Sequence, residues 1–410
     1  MTPTEVFYVL IAIIVIVFIV DLLIDILNAT YYGKDVPKEL TDVYEKEEYT
    51  KSIAYKKANY HFKIVTSSIS LVGILAFFFL NGFAWVDQWA RSFSDNPVIV
   101  GLIFFGTIMI ASDLASIPAS YYHTFVIEEK FGFNKTTIQT FFVDNLKGLL
   151  MMIIIGGALL ALIIWFYTLT GANFWIYAWI LISAFTLFMN MFYAKIIVPL
   201  FNKQKPLENG DLRNVIEAYS KKVGFKLRDI YVIDGSKRST KANAYFSGLG
   251  SEKRVTLYDT LISDLTPEEI VAVLAHEIGH FKKRHIIINL ILSILLTGFT
   301  LWLLSIFINN PLLSKALGLE EPSFHVGLIA FGILYSPISE VTGLIMNYIS
   351  RKFEFQADNY AKTTYNGEAL IHSLKKLSKN NLNNLTPHPA MVFVHYSHPT
   401  LLQRIRNIRS

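Results

Sequence analysis

The chain has 410 residues, of which 53% are hydrophobic and only 17% charged, with a net charge of +5 and a mean hydropathy of +0.41. Soluble proteins carry about 25% charged residues, so the composition describes a polytopic membrane protein and excludes a disordered or collagen-like chain. No cysteine is present, which removes disulfides, thiol nucleophiles, iron–sulfur centres and thiolate-held metals and leaves His, Asp and Glu as the ligands for any metal.

Seven segments, 7–27, 64–83, 98–119, 148–169, 175–200, 286–308 and 326–349, offer the roughly 20 apolar residues a helix needs to cross hydrocarbon. The first has no basic residue in Met1–Glu5 and no small-residue cleavage site, and it reads as a retained anchor rather than a signal peptide. Of the 37 Lys and Arg, 34 fall in the loops after spans one, three and five and after span seven. The positive-inside rule then predicts the N-terminus outside and the C-terminus in the cytoplasm. The predicted organisation is a five-span region over 1–200, a cytoplasmic polar segment over 201–285, a two-span hairpin over 286–349 and a second cytoplasmic segment over 350–410.

Asp21, Asp25, Asp113, Lys195 and Glu340 lie within these spans. Charge facing lipid is expensive, so each is a candidate for a wet interior cavity. Snorkelling near a helix end is the reading for Asp25 and Lys195, while Glu340, close to Pro337, is open between the two. Pro118 and Pro337 permit kinks that would widen a bundle.

Between Lys203 and Arg284 the pattern becomes that of a folded polar unit. Leu212, Val215, Ile216 and Tyr219 recur at helical spacing and predict a helix over Asp211–Val223. Arg228–Asp234, Asn243–Leu249 and Arg254–Tyr258 are rich in β-branched and aromatic residues and read as short strands. Thr266, Pro267 and Glu269 then form the start signal of a capped helix that runs through His276-Glu277-Ile278-Gly279-His280 to Lys282, Lys283 and Arg284.

On that helix His276 and His280 project from one face and can hold one zinc ion, with Glu277 placed to take a proton from the activated water. A catalytic zinc site usually has a third protein ligand. Two membrane crossings return the chain to the same side at Arg351-Lys352-Phe353-Glu354-Phe355-Gln356-Ala357-Asp358. Glu354 is the candidate third ligand, and Asp358, one turn later, is placed to orient a ligand histidine. His285, His325, His372, His388 and His395 lack ligand spacing and read as structural or solvated. No phosphate loop or nucleic-acid patch is visible, and Asn134-Lys135-Thr136, on the cytoplasmic side, is not expected to be glycosylated.

The ordered set His276-Glu277-Ile278-Gly279-His280, Glu354-Phe355-Gln356-Ala357-Asp358 and His395-Tyr396-Ser397-His398-Pro399 resembles the integral-membrane zinc metalloproteases of the type I CAAX prenyl protease family. The likeness extends to Glu128–Thr136 and to Gly235–Gly248. It implies an all-α membrane protein of seven transmembrane helices with a cytoplasmic zinc-metallopeptidase domain, α with a small β-sheet, split by spans six and seven. It further implies one Zn2+ on His276, His280 and Glu354 and catalysis by Glu277. Asn243 would hold the substrate backbone on an edge strand, His398 would steady the oxyanion, and Arg404 would support the ligand shell.

The implied activity is cleavage of the C-terminal tripeptide of prenylated CAAX substrates. A prenyl-independent quality-control endopeptidase and a seven-span transporter or receptor with a structural zinc site are the alternatives. The expected partners are a peptide or prenylated protein and the bilayer, not nucleic acid. A short loop of about 17 residues between spans six and seven and the terminal Arg406–Ser410 favour a bacterial inner membrane, with the endoplasmic reticulum as the alternative in a eukaryote.

Overall fold

A computed structural model describes residues 1–225, 227, 229–247 and 254–410. Its principal helices are α1 Pro3–Ala29, α2 Lys46–Phe79, α3 Gly82–Arg91, α4 Pro97–Tyr122, α5 Ile138–Met151, α6 Gly157–Thr170 and α7 Phe174–Ile196. They continue as α8 Asp211–Lys222, α9 Pro267–Lys282, α10 His285–Phe307, α11 Phe324–Thr364, α12 Gly367–Asn380, α13 Pro389–His395 and α14 Leu401–Arg409. Pro118 and Pro337 both stay inside helices. Two π-helical segments, His123–Glu128 and Met152–Gly156, were not expected from the sequence.

Six helical stretches, not seven, are long and apolar enough to cross a membrane among the described residues. The difference lies in Ile138–Phe201, a 64-residue run counted once but broken at Gly171, whose φ of +55° no ordinary helix contains. Across that break Tyr167 packs edge-on against Phe174, with ring centroids 5.6 Å apart. No more than 17% of any apolar window is buried inside the protein, so residues such as Val65, Ile69 and Val72 present uncovered apolar surface. Lipid is the solvent that makes this stable.

Helix ends differ from expectation in two places that matter. The second span is the continuation of a helix that begins at Lys46. The last is part of the 41-residue α11, about 60 Å long at 1.5 Å per residue, which runs without interruption from the membrane segment through Glu354 and Asp358. Asp25 does not snorkel: it is buried and pairs with Lys63 on α2 at 2.6 Å.

Four strands, β1 Gln204–Pro206, β2 Asp229–Ile233, β3 Ala244–Ser247 and β4 Arg254–Tyr258, form one sheet in the order β1-β2-β4-β3. β2 and β4 are parallel, and the outer pairings are antiparallel. The sequence missed β1, a three-residue strand containing Pro206 that survives at an edge, where a missing N–H costs little. The expected strand ends at Arg228, Gly248 and Leu249 fall outside the described residues.

One apolar core joins this sheet to both polar segments. Ile216, Ile230, Val255 and Leu257 share it with Leu274 and Ile278 of α9, Leu370 and Ile371 of α12, and Ile405 and Ile408 of α14. Leu40, Val43, Ile127 and Phe131, from loops of the N-terminal membrane region, enter the same core. Separate apolar clusters lie among the membrane helices, one of them around Leu10, Phe83, Phe104 and Val326.

Candidate active site

Helix α9 starts as the sequence predicts. The Thr266 hydroxyl accepts from the Glu269 N–H at 3.3 Å, and the Glu269 carboxylate accepts from the Thr266 N–H at 2.8 Å. Burial works against the Glu269 carboxylate, but Lys376 at 2.7 Å and the Thr266 N–H outweigh it and hold its pKa below the usual value. The apolar face of α9 lies in the core, and the opposite face turns His276 and His280 toward α11.

How closely the two helices approach is set by Gly279. A Cβ at this position would sit 3.1 Å from the backbone of Ala357 and 3.1 Å from Tyr360 Cβ, tight enough that α11 would have to shift by a few tenths of an ångström. The smallest residue inside the motif therefore lets α11 bring Glu354 to the histidines. His276 Nε2 and His280 Nε2 lie 3.1 Å apart, and Glu354 oxygens are 3.4 Å from the first and 3.2 Å from the second.

These edges match a tetrahedral metal site, in which ligands about 2.0 Å from a zinc ion stand roughly 3.3 Å from one another. Glu354 is 4% exposed and its Oε2 has no hydrogen-bond partner among the described residues; Arg404 stands no closer than 3.6 Å, so a metal ion would supply the close partner a buried carboxylate oxygen needs. Burial and the Arg404 charge disfavour a protonated His276, yet Asp358 and Glu354 prevail and push its pKa up to about 9. The pocket draws positive charge, and a divalent cation supplies it in place of the proton. His276, His280 and Glu354 thus fit a metal by distance, burial and donor type.

The support around the ligands is equally specific. Asp358 is fully buried, and its Oδ1 lies 2.9 Å from His276 Nδ1. Arg404 grips the same carboxylate with two N–H donors at 2.6 and 2.9 Å and stands 3.6 Å from Glu354 Oε2. That guanidinium comes from α14, whose start is a capping box of Thr400 and Gln403. Arg351, on α11, donates to the Val392 and Tyr396 carbonyls and fixes the segment that carries His398. His398 Nε2 ends 3.4 Å from Glu354 Oε1, with its side chain 64% exposed.

Glu277, His276, His280, Glu354, His398, Arg404, Asn243, Ala244 and Tyr245 line one cavity of about 400 Å³. Asn243 immediately precedes β3 rather than lying on it; its Oδ1 accepts from the Ala244 N–H, and its carbonyl accepts from Tyr258. β3 is the sheet's edge beside this cavity, and no described strand pairs with its outer side.

Sequence reasoning missed the clamp that holds this edge. Lys241 Nζ donates to Glu128 Oε2 at 2.6 Å and to the Tyr55 hydroxyl at 3.0 Å. Backbone bonds join Lys135 to Arg238 and Thr240 to Phe133, and Arg238 forks onto Asp144. Nothing in the local pattern of Glu128–Thr136 announces a partner about 100 residues away. His285, expected to be structural or solvated, lies against His280.

Comparison with known proteins agrees with this architecture. Residues 25–203 match the family described as CAAX prenyl protease N-terminal, five membrane helices, and residues 206–410 match peptidase family M48. The chain belongs to the M48 peptidases. A CAAX prenyl protease 1 homolog of Dictyostelium discoideum is 37% identical over 91% of this chain and 89% of that protein. The CAAX prenyl protease 1 of Saccharomyces cerevisiae is 35% identical over 90% and 87%. The crystal structure of S. mikatae Ste24p superposes with a TM-score of 0.94 at 33% identity, covering 99% of each chain. This M48 metallopeptidase is thus a multi-pass membrane protein whose His-His-Glu cluster lines a cavity bordered by β3, an edge with which no other described strand pairs.

Proposed function

We propose that the protein is a zinc endopeptidase of the CAAX prenyl protease type, removing the C-terminal tripeptide of prenylated substrates. The convergence of His276, His280 and Glu354 on one cavity with Glu277 and the β3 edge carries the reading. One Zn2+ on these ligands would polarise the scissile carbonyl and lower the pKa of a water to about 7. Glu277 takes the proton of the attacking water and returns it to the leaving amine. The β3 edge offers backbone donors and acceptors to an extended peptide, Asn243 holds the peptide at the end of that strand, and His398 donates toward the charge that develops on the carbonyl oxygen. Asp358 and Arg404 keep His276 and Glu354 in place.

The break at Gly171 supports dividing 138–201 into two crossings, which gives seven spans. The peptidase unit is then formed by 201–285 and 350–410 across the two-span hairpin 286–349, below the five-span region 1–200. The bias of Lys and Arg supports an orientation with these polar segments in the cytoplasm and the N-terminus outside. Relatives from Dictyostelium, rice and yeasts favour the endoplasmic reticulum over the bacterial inner membrane that the short loop suggested. Against a structural zinc site in a transporter or receptor stands the coordination itself. A structural zinc takes four protein ligands, whereas three converge here among the described residues.

The test is release of the C-terminal tripeptide from a farnesylated CAAX peptide, followed by mass spectrometry, with the unlipidated peptide and the Glu277→Ala variant alongside. Cleavage of the lipidated peptide alone, lost with Glu277→Ala, is the expected result. Equal cleavage of both peptides turns the reading to a prenyl-independent quality-control endopeptidase, and cleavage of neither by a zinc-loaded protein refutes peptidase chemistry at this site.

A further inference from the structure

Helix α9 closes at Lys282 and α10 opens at His285, with Arg284 between them at φ +62°, a left-handed conformation that L side chains rarely adopt. Had the helix continued, residue 285 would sit about 140° around the axis from residue 280. The break instead returns the His285 ring so that its Nδ1 lies 3.1 Å from His280 Nδ1. The ring is 1% exposed and stacks on Phe353 with centroids 4.0 Å apart and planes 7° from parallel. Its other nitrogen, Nε2, is 2.9 Å from Gln356 Oε1.

We infer that His285 and Gln356 are positioning residues for the metal site, a relay that fixes the tautomer of His280 and holds its Nε2 lone pair toward the ion. The inference rests on the zinc reading above. An amide oxygen only accepts, so His285 carries its hydrogen on Nε2 and, as a neutral imidazole, presents Nδ1 as an acceptor. His280 must then donate from Nδ1 and keep Nε2 free. That Nε2 is the atom 3.1 Å from His276 Nε2 and 3.2 Å from Glu354 Oε1. With the amide reversed, the relay would put a hydrogen on His280 Nε2 and block the ligand atom.

The two ligand histidines are therefore oriented by different chemistry. His276 faces the carboxylate of Asp358 at its Nδ1, whereas His280 faces a neutral ring. A second carboxylate would add negative charge to a site that already buries Glu354 and Asp358. The neutral relay supplies direction without charge, and Phe353 and Gln356, on either side of Glu354 in sequence, let one turn of α11 deliver both the third ligand and the support for the second.

The experiment measures Zn2+ affinity of the full-length detergent-purified protein by competition with a chelator, together with thermal unfolding of the metal-free form. His285→Phe and Gln356→Met should each weaken zinc binding about 10–100-fold, and His285→Gln, whose amide oxygen can still accept from His280, should recover part of the loss. Wild-type zinc affinity in both of the first two variants, with only the unfolding midpoint lowered, overturns the relay and leaves packing as their role. Glu354→Gln separates the two readings. If it too binds zinc normally, the metal site itself is wrong; if it loses zinc while the relay variants keep it, the relay alone is wrong.

Discussion

At one end of α11, His325 Nε2 lies 2.6 Å from Asp87 Oδ1, and Arg91 closes the group at 2.8 Å. At the other end, roughly 50 Å away along the helix, Asp358 meets His276 at 2.9 Å and Arg404 at 2.6 Å. Both are His–Asp–Arg groups in which the His and Asp are buried, and each takes one member from α11. They differ in what the histidine's second nitrogen meets. His325 packs its ring on Phe104, with centroids 4.4 Å apart, and no further ligand joins it among the described residues. His276 turns Nε2 toward His280 and Glu354. A buried histidine–carboxylate pair is thus a means of fixing an imidazole, and it becomes a metal site only where other donors converge on the free nitrogen.

The sharpest way to break this comparison is Glu354→Gln, which should abolish both zinc retention and peptide cleavage, read by metal analysis and tripeptide release; full zinc occupancy would remove the distinction between the two ends. Glu277→Ala comes next, with zinc retained and kcat lowered about 10²–10⁴-fold. Arg404→Met should cost about 10–100-fold in zinc affinity by freeing Asp358 and Glu354, measured by chelator competition.

At the opposite end Asp87→Ala should leave zinc affinity and kcat unchanged and lower stability by about 2–3 kcal/mol, because buried donors lose their acceptor. Burial acts against the Asp87 carboxylate, but His325 and Arg91 outweigh it and hold its pKa below the usual range. Its contribution to stability is therefore full above the unfolded value of about 3.9 and lost as pH falls through the lower folded value. Acid unfolding of the detergent-solubilised protein should show that loss, and Asp87→Asn should flatten it. The smallest effect is expected for Glu128→Gln, which loosens Lys241 two residues before Asn243 and should raise KM a few-fold with kcat nearly unchanged, since an uncharged acceptor still holds the segment.

Much of the site was legible because its determinants are local. The capping box at Thr266 and Glu269, the i, i+4 spacing of His276 and His280 and the turn from Glu354 to Asp358 each lie within one helix, where a 3.6-residue period fixes which side chains share a face. β1 escaped detection because three residues carry no period, and the join between 138–170 and 174–201 was legible as a break in hydropathy but not as a fold. His285 was dismissed on its spacing, since five residues do not return to the same helical face; the left-handed Arg284 removes that premise.

The amino-acid sequence by itself determined that the protein crosses a membrane repeatedly and that one capped helix carries two imidazoles and a carboxylate, and it predicted a third ligand after an even number of crossings. Each follows from hydropathy, periodicity or parity, which need no knowledge of distant contacts. Only the tertiary structure decided that Gly279 admits α11 to within ligand distance, that Arg404 and Asp358 lock one histidine while His285 and Gln356 lock the other, and that Glu128 holds Lys241 beside the open strand. Those contacts join residues up to 113 positions apart, and chain separation carries no signal of which distant side chains packing will bring together.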